Sequence, residues 1–209
     1  AVPEDYYETY YNNVVAKLEE KNGILSANSY TEYSRLILAL TAIDKDPSNV
    51  AGYNLLENLA DFNKVTKQGI NGAIYALIAL DTKDYEIPQV EDVEKVTTRQ
   101  ALIDFILSKE ISGGGFALSG STPDPDITSM AIQSLAPYKE QAEVELAINR
   151  AVSVLEDLQL ESGGYSSWGE NSMSPAQVLI ALSTLGINGG TNERFQTENG
   201  SSVLSAIME

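Results

Sequence analysis

Two patterns of apolar and polar positions alternate along the chain. In residues 141–159 the apolar side chains Val144, Ile148, Ala151, Leu155 and Leu158 recur at alternating spacings of four and three. That spacing draws one stripe along a helix. Glu143, Asn149, Arg150, Glu156 and Asp157 fall on the opposite face. Residues 97–108 follow the same rule with Leu102, Phe105 and Ile106, and Thr97 with Gln100 fits a capping box. Residues 6–20 and 49–62 are less regular members of this amphipathic set. The second pattern is apolar nearly all round and rich in small residues. It covers residues 35–43, 72–80, 127–136 and 176–185. A helix with no polar face must be covered on most sides, and Ala and Ser let neighbouring backbones come close. Ser29 with Glu32 and Ser174 with Gln177 fit capping boxes, the latter with Pro175 at the first helical position.

Taken in order, an amphipathic outer helix precedes an apolar inner helix four times over. The pattern predicts an all-α array of helical hairpins, with a repeat of roughly 40–55 residues. Glycine-aromatic turns punctuate two hairpins, Gly113-Gly114-Gly115-Phe116 and Gly163-Gly164-Tyr165. Glycine supplies the positive φ that a tight helix exit needs. Residues 81–95 are acidic, contain Pro88 and read as a surface loop. Residues 201–209 begin another amphipathic helix with no apolar partner behind it. The expectation is one domain over residues 1–209, an incomplete ring within a longer polypeptide that carries flanking domains.

Composition removes several chemistries. The 209 residues are 43% hydrophobic, enough for a sizeable core, yet no apolar run approaches the ~18 residues of a membrane span. Residues 1–5 show neither the charged nor the apolar region of a secretory signal. A net charge of −17 repels phosphate backbones and anionic lipid, so nucleic acid is not an expected partner. The sequence has no Cys and no His. Cysteine nucleophiles, disulfides, Ser-His-Asp triads and ordinary zinc sites are thereby excluded. No cofactor is implied.

The segment Gln159-Leu160-Glu161-Ser162-Gly163-Gly164-Tyr165 resembles the Gln-x3-Gly-x-aromatic motif of the prenyltransferase and squalene-cyclase repeat. Glu110 to Phe116 is similar, with Glu110 in the Gln position. Residues 33–46, 69–80 and 114–138 look like the repeat domains of secreted proteins from Gram-positive gut bacteria. The resemblance implies an α/α toroid and an extracellular or cell-surface location. It also implies a non-catalytic binding or scaffold role, because such toroids often precede a transcobalamin-like module. A cobamide, another large amphipathic molecule or a glycan is the ligand class it suggests. The zinc and thioester branches of the superfamily need Cys or His. The cyclase branch uses an acidic Asp-x-Asp-Asp run, whose third residue protonates an alkene. Asp126 falls on that position in Asp124-Pro125-Asp126-Ile127, while Ile127 replaces the last Asp. A cyclase-like enzyme with Asp126 as general acid is the alternative reading.

Each candidate residue carries two readings. Asp124 and Asp126 could line a ligand site, or could cap a helix and complement its dipole. Trp168, with Glu170 and Asn171, could form a stacking platform, or the indole could pack over its hairpin. Tyr33, Gln68, Asn71, Tyr75 and Gln177 lie near inner-helix starts and could form a polar rim, or serve as caps and internal hydrogen bonds. Tyr6, Tyr7, Tyr10 and Tyr11 read as a packed helix face with an exposed edge. Asp44, Asp46, Asp81 and Asp84 carry oxygens that calcium could use, without EF-hand spacing.

Overall fold

The computed structural model describes residues 3–208. Among them helices dominate, with a single two-stranded hairpin, so the fold class is all-α. The chain separates into two compact units, the first ending at Ile103 and the second beginning at Asp104. No helix among the described residues is long and apolar enough to cross a membrane.

The first unit is organised by two apolar helices. Helix α1 is Tyr6–Glu20, α2 is Thr31–Ala42, α3 is the single turn Phe62–Val65, and α4 is Ile70–Asp81. Helix α2 packs along α4. The all-round apolar character of α4 is matched by its burial: Ile70, Ala73, Ile74, Ala76, Leu77, Ala79 and Leu80 are all inside. Each fully buried Leu or Ile contributes about 1.5–3 kcal/mol. Gly72 lets the turn below approach so closely that a Cβ would lie 2.0 Å from the Val65 carbonyl oxygen. Arg99 closes the far end of α4, donating to the carbonyls of Leu80 and Tyr85 at 3.0 Å each and to Asp81 at 2.8 Å. A cation there satisfies carbonyls that a helix end leaves open. Helix α1 buries only Leu18, and Tyr6 and Tyr7 are exposed.

Residues 49–62 are not the expected outer helix. Ala51 and Gly52 take positive φ, and Val50 bridges to Tyr53. Asn54 then accepts from the Leu56 N–H and starts a 3-10 turn at Leu55–Leu59. Its amide competes with helical pairing, as Asn side chains do near turns. The expected capping boxes are also replaced. The Thr31 N–H at the start of α2 donates to Gln68 rather than to Ser29. Helix α5 (Arg99–Leu107) is capped by Thr98, whose hydroxyl accepts from the Ala101 N–H, not by Thr97.

In the second unit, α6 (Pro125–Leu135) packs against α7 (Ala142–Asp157) and α8 (Met173–Thr184). Helix α7 buries Val144, Ile148, Ala151 and Leu155 of the predicted stripe, with Ala147 and Val152 beside them, while Leu158 falls just past the helix end and is half-buried. The two glycine-aromatic turns are built alike. In each, an N–H and a C=O close a short loop, Ile111 with Gly114 and Gly115, Leu160 with Gly163 and Gly164. Gly114 and Gly163 both take positive φ and both abut backbone, at Arg150 and Ser202, where a Cβ would clash. Phe116 and Tyr165 follow, fully buried. Glu110 receives both arms of Arg150 at 2.7 Å, and Gln159 donates to the Gly163 and Phe195 carbonyls. Strands β1 (Tyr165–Ser166) and β2 (Glu170–Asn171) form the antiparallel hairpin. The last helix, α9 (Ser205–Met208), starts four residues later than expected; Ser202 is bridged to Gln196 instead. Glu209 lies outside the described residues.

Gly72→Ala tests the close approach that seats α4. The variant is expected to lose about 1–3 kcal/mol, as overpacked positions do, read as a lower thermal midpoint in circular dichroism. An unchanged midpoint would show that the Val65 turn gives way without cost.

Candidate functional site

The start of α6 and the β hairpin share a cleft. Asp124 has extended backbone, and its Oδ1 accepts from the Asp126 N–H at 2.9 Å and the Ile127 N–H at 3.0 Å. Pro125 follows at the first helical position, where a missing N–H costs nothing. The second carboxylate oxygen of Asp124 accepts from the Ser167 hydroxyl at 2.6 Å. One side chain therefore caps the helix and ties down the hairpin loop.

The hairpin pairs Tyr165 with Asn171 and Ser166 with Glu170. Residues 167–169 form its tip. Tyr165 anchors one strand in the core. Asn171 anchors the other: its Oδ1 accepts from the Met173 and Ser174 N–H groups at 2.8 and 3.0 Å, and its Nδ2 donates to the Gly169 carbonyl at 2.9 Å. Asn171, rather than Ser174, thus caps α8. Held between these ties, Trp168 has a φ of +59° and a relative exposure of 101%. A bulky residue in the left-handed region costs about 1–3 kcal/mol and persists only where its surroundings impose it.

The cleft beneath has a volume of about 460 Å³ and is lined by Leu118, Ser119, Thr122, Pro123, Asp124, Pro125, Asp126, Ile127, Ser166, Ser167 and Trp168. That size suits a small-molecule ligand. Leu118 is exposed and supplies a second apolar surface. Asp126 is half-buried, and its Oδ1 is shielded from water with no hydrogen-bond partner. Burial lifts its carboxyl above the ordinary range; the Asp124 charge adds to the lift, and the Ser174 and Ser167 hydroxyls oppose it.

Of the residues singled out in the sequence, Asp124, Asp126 and Trp168 line this cleft. Glu170 accepts from Ser162, and Asn171 is consumed by capping. Gln177 lies on α8, where its carbonyl accepts from Gln133 at 3.4 Å. Tyr33, Gln68, Asn71 and Tyr75 belong to the first unit. The buried Tyr33 hydroxyl accepts from the Leu25 and Ser26 N–H groups. Gln68 joins the Thr31 N–H to the Ser29 hydroxyl. Arg35 lies over the Tyr75 ring at 5.1 Å, and Asn71 is partly exposed on α4. Leu118 and Ser167 are cleft residues that the sequence reading passed over. Leu118 is a lone Leu among Ser, Gly and Thr, outside any periodic run, and Ser167 is marked only by its neighbour Trp168.

The acidic loop residues find other partners. Asp44 pairs with Lys83 at 3.5 Å, Asp81 and Asp84 with Arg99, and Asp46 accepts from the backbone and hydroxyl of Ser48. Among the described residues no group of three or more acidic side chains is placed to hold a metal ion. A cavity of about 520 Å³ beside α7 is polar, and Arg194 within it is paired to Glu156 at 2.7 Å. No family model, no curated protein and no solved structure matches the chain.

Two variants test this arrangement. Asp124→Ala removes the cap and the Ser167 tie. A loss of about 0.5–2 kcal/mol is expected, together with lower fluorescence anisotropy of Trp168 as its loop loosens. Asp126→Asn acts through pH. Above the raised folded value the carboxylate is charged in both states, and the folded chain bears the cost of burying it. As pH falls through that value, the folded state protonates first and the cost disappears. Asp126→Asn is expected to raise the thermal midpoint at pH 7, with the gain fading to nothing as pH drops to the ordinary carboxylate range. A gain independent of pH would contradict this.

Proposed function

We propose that the chain is a non-catalytic ligand-binding domain that captures a small amphipathic molecule in the cleft under Trp168. The observation that carries this reading is the indole itself. It is fully exposed, strained in its backbone, and held at the hairpin tip by Asp124 and Asn171 from either side. Exposing an indole forgoes a large apolar burial, and tying it in that posture preorganises a contact surface. The proposed architecture is an α/α toroid with inner helices α2, α4, α6 and α8. The pairing of α2 with α4 and of α6 with α8, and the two like-built glycine-aromatic turns, support it. The proposed setting is the surface or exterior of a bacterial cell. A cobamide or a glycan remains the ligand class that the repeat's resemblance suggests.

A second reading is favoured by two observations at Asp126, a carboxyl that burial lifts above the ordinary range and an oxygen without a hydrogen-bond partner. In it Asp126 is a general acid of a cyclase-like enzyme. Turnover of an oligoprenyl substrate that vanishes in Asp126→Asn would establish that reading, and no turnover in either form would end it.

The binding reading has a direct probe, since Trp168 is the sole tryptophan. Titration with a panel of cobamides, oligosaccharides and amphipathic amines is expected to give a saturable change in its emission for at least one class. Trp168→Ala should weaken the calorimetric affinity for that ligand tenfold or more, about 1.4 kcal/mol. Binding untouched by Trp168→Ala would place the ligand elsewhere.

A further inference from the structure

Four Asn-Gly pairs stand in the sequence, beginning at Asn22, Asn71, Asn188 and Asn199. In such a pair the backbone nitrogen after Asn can attack the Asn carboxamide, because glycine puts no side chain in the way. The attack consumes that N–H, so an N–H held in a hydrogen bond has to be freed first. Three of the pairs are held. The Gly23 N–H donates to the Leu18 carbonyl at 2.8 Å, the Gly72 N–H to Gly69 at 3.2 Å, and the Gly200 N–H to Thr197 at 2.9 Å. Asn71 is also part of α4. Asn199 is further restrained at the group that would have to leave, its Nδ2 donating to the Glu161 carbonyl at 2.9 Å.

The fourth pair is built differently. Among the described residues the Gly189 N–H donates to no acceptor. Gly189 is buried, so close to Leu179 that a Cβ would lie 2.8 Å from that side chain, and losing its N–H forfeits no protein hydrogen bond. The exposed Asn188 side chain folds forward over it, with Oδ1 accepting from the Gly190 N–H at 2.9 Å. Asn199 shares this fold through the Ser201 N–H at 3.1 Å, but with its own Gly200 N–H committed. The donor on Oδ1 polarises the carboxamide and sits where negative charge gathers as Cγ is attacked. The Asn188 carbonyl accepts from the Thr191 and Asn192 N–H groups at 3.2 and 2.9 Å, which holds the turn and keeps attacker and target together.

We infer that Asn188 is the residue at which this folded chain deamidates. The Gly189 nitrogen gives its proton to hydroxide and bonds to Cγ. The Cγ–Nδ2 bond breaks, and Nδ2 takes a proton from water and leaves as ammonia. Water then opens the five-membered imide at either carbonyl. One opening gives aspartate, and the other gives isoaspartate, with the main chain rerouted through the side chain. Nothing is oxidised or reduced.

The test incubates the whole chain in mildly alkaline buffer, folded and in urea. Cleavage after Lys and Arg puts the four pairs on four different peptides. Conversion is read by mass spectrometry and isoaspartate by methyltransferase labelling. In the folded chain, peptide 151–194 is expected to convert about tenfold faster than peptide 195–209, which carries Asn199; that is the factor imposed by one hydrogen bond that must first open. In urea the lead is expected to disappear. Asn188→Gln should abolish the mass gain in peptide 151–194, which also carries Asn171 and Asn192, and leave the thermal midpoint unchanged. Equal conversion at the four pairs of the folded chain, or a lead at Asn22, Asn71 or Asn199, would overturn the inference. So would a lead that persists undiminished in urea, or a gain in peptide 151–194 that survives Asn188→Gln.

Discussion

A helix without a polar face leaves the chain little freedom. Helix α4 carries no charged residue before Asp81, and α8 carries none at all. Helix α4, packed along α2, is covered on most sides, while α8, packed along α6, buries Ser174, Pro175, Val178, Ala181 and Leu182 and leaves Met173 and Ile180 exposed. Covering them requires small side chains at close approaches, which is why Gly72 sits against the Val65 carbonyl. It also places polar groups on the helix bodies inside, where the Ser129 hydroxyl has no partner and others find one. The Thr128 hydroxyl does so by both accepting from and donating to the Phe116 backbone.

The glycine-aromatic turns convert that packing into a presented surface. Gly163 lets the chain press against the Ser202 backbone, which sets Tyr165 in the core. Burial pushes the Tyr165 phenol up, and its hydroxyl has no partner, so ring packing is what holds it. Three residues further on, the chain emerges with Trp168 outward. The same turn precedes Phe116, but there the chain runs through a loop to Asp124 with no hairpin. The two copies therefore divide the labour: one delivers the carboxylates and the other the indole.

The helices were legible because a 3.6-residue period is a local property. Residues 6–20 and the stripe of α7 needed nothing beyond their own side chains to be found. The caps were misread for the opposite reason. At the start of α2 the acceptor is Gln68, distant in sequence, and at α8 it is Asn171, one turn earlier than Ser174. A capping box considers only the residues inside the helix start, so it misses a better-placed amide outside it. Residues 49–62 had the apolar content of a helix, but Asn54 and the positive φ at Ala51 and Gly52 broke it into short turns. In the site, Asp124, Asp126 and Trp168 were recognisable by residue type. Leu118 and Ser167 were not, because their importance comes from the cleft formed when residues far apart in sequence meet.

The two aspartates show how environment divides like groups. Asp124 accepts three hydrogen bonds, two from backbone N–H groups and one from Ser167. Its charge is spread over donors that also end the helix. Asp126, two residues on, accepts neither of those N–H groups. It keeps an oxygen with no donor, in a half-buried setting beside a second negative charge. Desolvation and like charge both disfavour its ionised form. The start of α6 thus holds one carboxylate served by three donors and, two residues on, one whose ionised form its burial opposes.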